Sequence, residues 1–330
     1  MCQFAFDFLG SPMLILESKN LKPGKAAQLI EAAVAAVDQD WLRGVVERVS
    51  IPRNYEAQPE NNRQVAAWIE EQFQALGYRT IRQGAYDNIA AMPVTVDEPD
   101  FRPKILVGAH YDSKPQTPGA DDNGSAVAAM LGCAKAIRNF ENAVAGQDNQ
   151  NGQVGAQIIF VAFNREEDGL LGSYDFVDNY LPTSWKLEEV HILEMVGYCD
   201  HTPGSQGVPK GLPLKLAHDR GDFLALIANR SSNFLLKPIL KVASTYVPGF
   251  PVWGLKVFFG LENKFTDLRR SDHAPFWDQK IPAFMWTDTS EFRNSNYHQP
   301  TDTPETLDYE FLQKVTQLLV ARCCSRCLSA

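Results

Sequence analysis

KILVGAHYDS, residues 104–113, decides the fold: a short apolar run ends abruptly in the polar side chains of His110 and Asp112. An unbroken apolar run of this length reads as a strand buried on both faces, as parallel sheets require. Ligands bind beyond the carboxyl ends of such strands, so His110 and Asp112 stand at a candidate site. Working outward, IIFVAFNREE at 158–167 repeats the pattern and puts Glu166 and Glu167 after a second strand. HILEMV at 191–196 carries Glu194, and PAFMWTD at 282–288 ends in Asp288, which reads as a plain strand-end or turn carboxylate.

Between these runs the spacing changes. Residues 25–48 and 61–76 carry apolar side chains at helical intervals, the second run stopped by Gly77. TIRQGAYDNIAAMPV at 80–94 reads as a strand pair, residues 123–140 as a helix, and residues 170–180 as another. LKVFFG at 255–260 reads as a strand and LDYEFLQKVTQLLVARC at 307–323 as a closing helix. Strands alternating with helices imply an α/β fold whose largely parallel sheet is covered on both faces. Residues 197–250 read as a long, poorly periodic loop bordering the site. The division expected is an N-terminal helical extension over 1–60, packed on a catalytic domain over 61–330.

Composition narrows the function. With 31 Lys and Arg against 40 Asp and Glu, and no basic cluster, the chain is not built to follow a phosphate backbone, and no nucleic-acid partner is expected. No apolar run reaches the roughly 18–20 residues that span a bilayer. The opening MCQFAFDFLGSPMLILESKN lacks a basic leader and a small-residue cleavage site, so a soluble, cytoplasmic protein is expected. The six cysteines do not make a disulfide scaffold. Cys2, Cys133 and Cys199 are isolated, and the Cys324–Cys327 pair, lacking a second pair, reads with Cys323 as free thiols on the last helix.

Zinc takes imidazole nitrogen and carboxylate oxygen, and a hydrolytic site leaves a position open for water. His110 and His298 supply the first; Asp122, Glu167 and Glu194 supply the second. Asp122 lies in PGADDNGS at 118–125, where Pro118, Gly119 and Gly124 can turn the chain back toward the strand end. Adjacent Glu166 and Glu167 suit a division of labour in which one ligates and the other carries protons. Read alone, the same acids also suit a helix's first turn, and His191, His201 and His218 read as surface or core residues.

In order, GAHYDS (108–113), PGADDNGSA (118–126), NREEDGLLGS (164–173), LEMVGY (193–198), RSDHAPF (270–276) and YHQPTDTPETLD (297–308) resemble the motifs of the co-catalytic di-zinc exopeptidases. That family includes bacterial leucyl-type aminopeptidases and, as a divergent branch, glutaminyl cyclases. The resemblance implies a three-layer α/β/α sandwich with a mostly parallel mixed sheet, two Zn²⁺ per chain and a peptide substrate. It makes Asp122 the bridging carboxylate, with His110 and Glu194 on one ion and Glu167 and His298 on the other. Glu166 falls on the general acid/base and Asp112 on a carboxylate that orients the first histidine. Tyr297 falls where some members place a phenol facing the oxyanion, and Asp272 and His273 fall in a supporting loop. Glu194 departs from the Asp of many aminopeptidases toward the Glu common in carboxypeptidases of the wider clan. Arg269 and Arg270 are the candidates for holding a C-terminal carboxylate. The activity implied is that of a zinc exopeptidase, an aminopeptidase first, with a carboxypeptidase or a single-zinc glutaminyl cyclase-like acyltransferase as alternatives.

A carboxylate shared by two ions should matter to both. Asp122→Asn is expected to lower zinc affinity at both positions, and His298→Ala to empty mainly one; metal analysis of the two purified variants distinguishes them. Equal metal content in the two would count against a bridge.

Overall fold

KILVGAH lies at the centre of a nine-stranded sheet in the computed structural model, which describes residues 12–94, 102–146, 155–214 and 216–328. Cys2 and most of the Gly-, Gln- and Asn-rich stretch 145–155, whose composition predicts a loop, fall outside the described residues. In chain order the elements are β1 (Met13–Glu17), α1 (Gln28–Ala35), α2 (Gln39–Val49), α3 (Pro59–Ala75), β2 (Tyr78–Gln83), β3 (Asn88–Pro93) and β4 (Lys104–His110). They continue with α4 (Ala126–Ala145), β5 (Gln157–Phe163), α5 (Leu171–Asp175), β6 (Leu187–Leu193), β7 (Leu224–Ala228) and α6 (Leu236–Tyr246). The last are β8 (Val252–Val257), α7 (His273–Asp278), β9 (Ala283–Thr287) and α8 (Tyr309–Leu328).

The sheet order is β1-β8-β7-β9-β6-β4-β5-β3-β2. Its centre, β5-β4-β6-β9, is parallel, and antiparallel strands flank it on both sides. Every residue of β4 is buried, and its side chains alternate between two cores. Ile105, Val107 and Ala109 face the layer of α1, α2, α3, α4, α6 and α8, whereas Leu106 faces Phe176, Phe276 and Trp277 around α5 and α7. This is the expected three-layer sandwich. Gly108 is needed where β4 passes between neighbours, since a Cβ there would lie 2.6 Å from Phe163 and 2.8 Å from Ile192.

The structure corrects the sequence reading in several places. The helical run at 25–48 is two helices, because Asp38 Oδ1 accepts from the N–H groups of Asp40 and Trp41 and starts α2 afresh. A strand, β1, precedes them; five residues at a sheet edge carry too little alternation to announce themselves. Residues 1–60 thus contribute a strand as well as helices, and the boundary expected at residue 60 falls in the first turn of α3. The long loop expected at 197–250 contains β7 and α6, the helix masked by Pro238 in its first turn. The helix expected from 123 begins at Ala126, because Asp122 and Asn123 hold non-helical backbone angles. β6 ends at Leu193, so Glu194 stands just past the strand rather than within it.

At the far end of the sheet, buried Glu189 of β6 meets Arg322 of α8, whose Nε lies 2.8 Å from Oε2. Burial opposes ionisation of Glu189, but His191 and Arg322 outweigh it and bring its pKa down to about 2. A depressed carboxylate stabilises the fold above its ordinary value of 4.5 and loses that contribution as pH falls toward about 2. Arg322→Met should therefore destabilise the protein at neutral pH by about 1.5–3 kcal/mol, with Arg326 still facing the carboxylate. Urea unfolding at pH 7 and pH 3 checks this: the deficit should shrink at the lower pH.

Candidate metal centre

Parallel register brings three strand ends level. His110 of β4 lies opposite Phe163 of β5, and Ala109 opposite Leu193 of β6, so the residues that follow these strands converge on one spot. His110 Nε2 lies 3.4 Å from Asp122 Oδ1 and 3.4 Å from Glu194 Oε2. His298 Nε2, from the loop after β9, lies 3.1 Å from Asp122 Oδ2 and 3.4 Å from Glu167 Oε2. The two oxygens of Asp122 thus face different histidines. All five residues read as ligands from the sequence are brought together, in the groups His110–Asp122–Glu194 and Asp122–Glu167–His298.

The donor set fits metal ions. Ligand atoms on a tetrahedron with bonds of about 2.0–2.1 Å sit roughly 3.3 Å apart, close to the separations here. Both ring nitrogens of buried His110 lack a hydrogen-bond partner, although carboxylates surround them. Charge points the same way. Burial alone would lower the pKa of His110, yet Glu166 and Glu194, with Asp112 and Asp122 in contact, raise it well above its ordinary value. His298 is brought up to about 9, against burial, by Asp122 and Glu167. Burial, then the like charges of Glu194 and Glu167, push Glu166 well above the usual carboxylate range despite His110. Cations held among these groups would relieve the same repulsion.

Backbone tethers aim these side chains. Gly119 adopts φ +65, where a Cβ would come within 2.4 Å of the Asp122 carbonyl, and this glycine lets the chain double back. Asp302 accepts from the N–H groups of Asp121 and Asp122 at 2.9 and 3.1 Å. Asp112, 3.3 Å from His110 Nδ1, accepts from the N–H groups of both Glu166 and Glu167 and so joins two strand ends. Ser271 donates to Glu194 Oε2 at 2.7 Å, and Lys114 Nζ lies 3.1 Å from Glu167 Oε2. Arg53, fully buried, donates to the carbonyls of Tyr111 and Gly119 at 2.6 and 2.9 Å and also to that of Pro118. Sequence reading singled out none of Arg53, Asp302, Ser271 or Lys114. Asp302 lay within a quoted motif, whereas nothing local marked Arg53.

The remaining candidates separate. Glu166 borders the same cluster, its Oε2 3.8 Å from His110 Nε2. Asp272 is buried beside it, its pKa brought up to about 7 by burial despite His110, with Glu194 adding to the rise. His273 turns away: its Nε2 lies 2.9 Å from the Leu268 carbonyl, its ring packs edge-on to Trp277, and burial lowers its pKa to about 4. Tyr297 stacks on His298 and lines an apolar pocket with Leu212, Phe223, Trp253, Met285 and Glu194. The loop preceding β7 walls this pocket. Asp288 stands at the end of β9, as expected, but not as an isolated carboxylate. It is fully buried, accepts from Tyr198 and Ser290 N–H, and pairs with Asp121 as a carboxyl pair in which burial raises both pKa values. His191 belongs to the core, accepting from Trp286 Nε1 at 3.1 Å.

Comparison with known proteins follows the same line. The profile described as Peptidase family M28 matches residues 88–213 and 258–322. The chain is 31% identical over 281 residues to the uncharacterized protein YfbL of Escherichia coli, covering 78% of each. Among solved structures it resembles the LapA aminopeptidase of Legionella pneumophila, with TM-score 0.68 and 19% identity over 94% of this chain and 79% of that one. It also resembles BSAP, a zinc aminopeptidase from Bacillus subtilis, with TM-score 0.50 and 26% identity over 71% of this chain and 48% of that one. The profile spans more than half of the sequence, including the segments that carry His110, Asp122, Glu166, Glu167, Glu194 and His298, and the chain accordingly belongs to peptidase family M28.

Proposed function

We propose that this protein is a zinc-dependent aminopeptidase that holds two ions on His110, Asp122, Glu194, Glu167 and His298. The observation that carries this reading is Asp122, whose two oxygens face separate histidines, each partnered by its own glutamate. BSAP, with its zinc, lends support. In this reading Arg53, from the segment before α3, braces the loop that carries Asp122.

When bound, zinc polarises the scissile carbonyl and lowers the pKa of water. The protein's own groups do the rest. Glu166 takes a proton from the attacking water at its carboxylate and hands it to the leaving amine. The Tyr297 phenol, beside His298, donates a hydrogen bond to the developing oxyanion. Asp112 fixes the orientation of the His110 ring. The carboxylates of Glu166 and Glu194 favour a free α-amine over a C-terminal carboxylate. Arg269 and Arg270 already have carboxylate partners: Arg270, which lines the pocket, clasps both oxygens of Glu291 at 2.6 and 2.7 Å, and Arg269 bonds Asp278 at 2.7 Å. The apolar pocket suits an apolar N-terminal side chain. Five convergent ligands exceed what a single-zinc cyclase needs.

Two experiments test the reading. Glu166→Gln should lower kcat by about 10²–10⁴-fold with metal content unchanged, whereas Glu167→Gln should lose metal; the reverse outcome would shift the assignment by one residue. On leucyl dipeptides, blocking the amine should abolish cleavage and amidating the carboxyl end should spare it. Cleavage of N-blocked substrates alone would refute the aminopeptidase assignment.

A further inference from the structure

Away from the five ligands, a second set of donor atoms converges at the molecular surface. Cys199 Sγ, a ring nitrogen of His201 and a carboxylate oxygen of Asp308 all lie within 4.8 Å of one another. Cys199 Sγ is 3.6 Å from His201 Nε2. Bonds of about 2.3 Å to sulfur and 2.0–2.1 Å to nitrogen, at a tetrahedral angle, put those two atoms roughly 3.5 Å apart. Behind the imidazole stands a carboxylate: His201 Nδ1 lies 3.6 Å from Asp222 Oδ2. Metal-bound histidines are commonly backed in this way, and His110 with Asp112 shows the same relation here. Asp308 is fixed by its role at the start of α8, where its Oδ1 accepts from the Phe311 N–H at 2.9 Å. His201 is largely exposed, so water can complete the coordination.

The location gives the cluster a purpose. Asp200 and Gly221 pair as an isolated bridge that closes the neck of a loop. Within that loop Gln206, Val208, Leu212 and Leu214 wall the apolar pocket. Cys199 and His201 lie on one side of the neck and Asp222 on the other, and Asp308, at the start of α8, stands within 4.8 Å of the first two. We propose that Cys199, His201 and Asp308 bind a thiophilic divalent cation of the zinc class, which clamps the neck of the pocket-walling loop. Sulfur with imidazole selects such an ion over calcium or magnesium, and Cys199 ligates as thiolate, its proton passing to solvent.

Cobalt(II) reads this site separately from the first, because only a thiolate ligand gives the intense sulfur-to-cobalt charge-transfer absorption, and the five-residue cluster contains no sulfur. The full chain, stripped of metal under a thiol-free reductant, is titrated with Co²⁺. The band should appear in the wild type, persist in His110→Ala and vanish in Cys199→Ser. Asp222→Asn should weaken the titration about 10- to 100-fold, as loss of a carboxylate behind a ligating histidine does. His201→Ala, a change at an exposed side chain that leaves folding intact, should weaken it at least as much. Absence of the band in the wild type at saturating Co²⁺, its persistence in Cys199→Ser, or an unchanged titration in His201→Ala would each overturn the proposal. Because His110→Ala disables the other cluster, failure here is distinguishable from failure of the aminopeptidase reading.

Discussion

Like charge brought together out of water is the constraint on which this structure turns. Asp112, Asp122, Glu166, Glu194 and Asp272 are buried around the His110 end of β4, with Glu167 alongside. Two unit charges about 4 Å apart repel by roughly 4 kcal/mol even at an effective dielectric of 20. A handful of such pairs would rival the 5–15 kcal/mol by which a domain is stable at all. Protons or cations must answer the charge, and the upward shifts of Glu166 and Asp272 show the proton answer. A site that strains to be neutralised is also one that grips metal.

Such a cluster persists only where the backbone holds it. The parallel register of β4, β5 and β6 sets the level, and main-chain N–H groups then restrain the acids. Asp302 and Asp112 each accept two of them, which fixes the Asp122 turn and the Glu166–Glu167 pair respectively. Asn123 adds a cross-tie, donating to the Leu193 carbonyl and accepting from the Met195 N–H. These side chains are therefore held by main-chain bonds as well as by the loops that carry them.

Legibility in the sequence followed the range of the interactions. β4, β5 and β9 were readable because strands buried on both faces are written as apolar runs, and His110, Glu167 and Glu194 because they stand where such runs end or break. β7 and α6 were lost because short apolar pieces separated by prolines resemble a loop. Arg53 was invisible for a different reason. Its partners Tyr111, Pro118 and Gly119 accept through carbonyl oxygens, which every residue possesses. Asp288 stands at the strand end its sequence position implies, but its pairing with Asp121 is invisible there, because that partner is remote in sequence and of the same charge, and no local pattern announces a carboxyl pair.

The edge strand β1 pairs with β8, far along the chain: Met13 lies opposite Val257, and Ile15 opposite Leu255. Ile15, Trp253 and Leu255 also line the apolar pocket. On the ribosome, then, β1 must wait for about 240 residues of nascent chain before its partner emerges. Because Met285 and Tyr297 also wall the pocket, the turn that carries Asp122 is synthesised long before the pocket is complete.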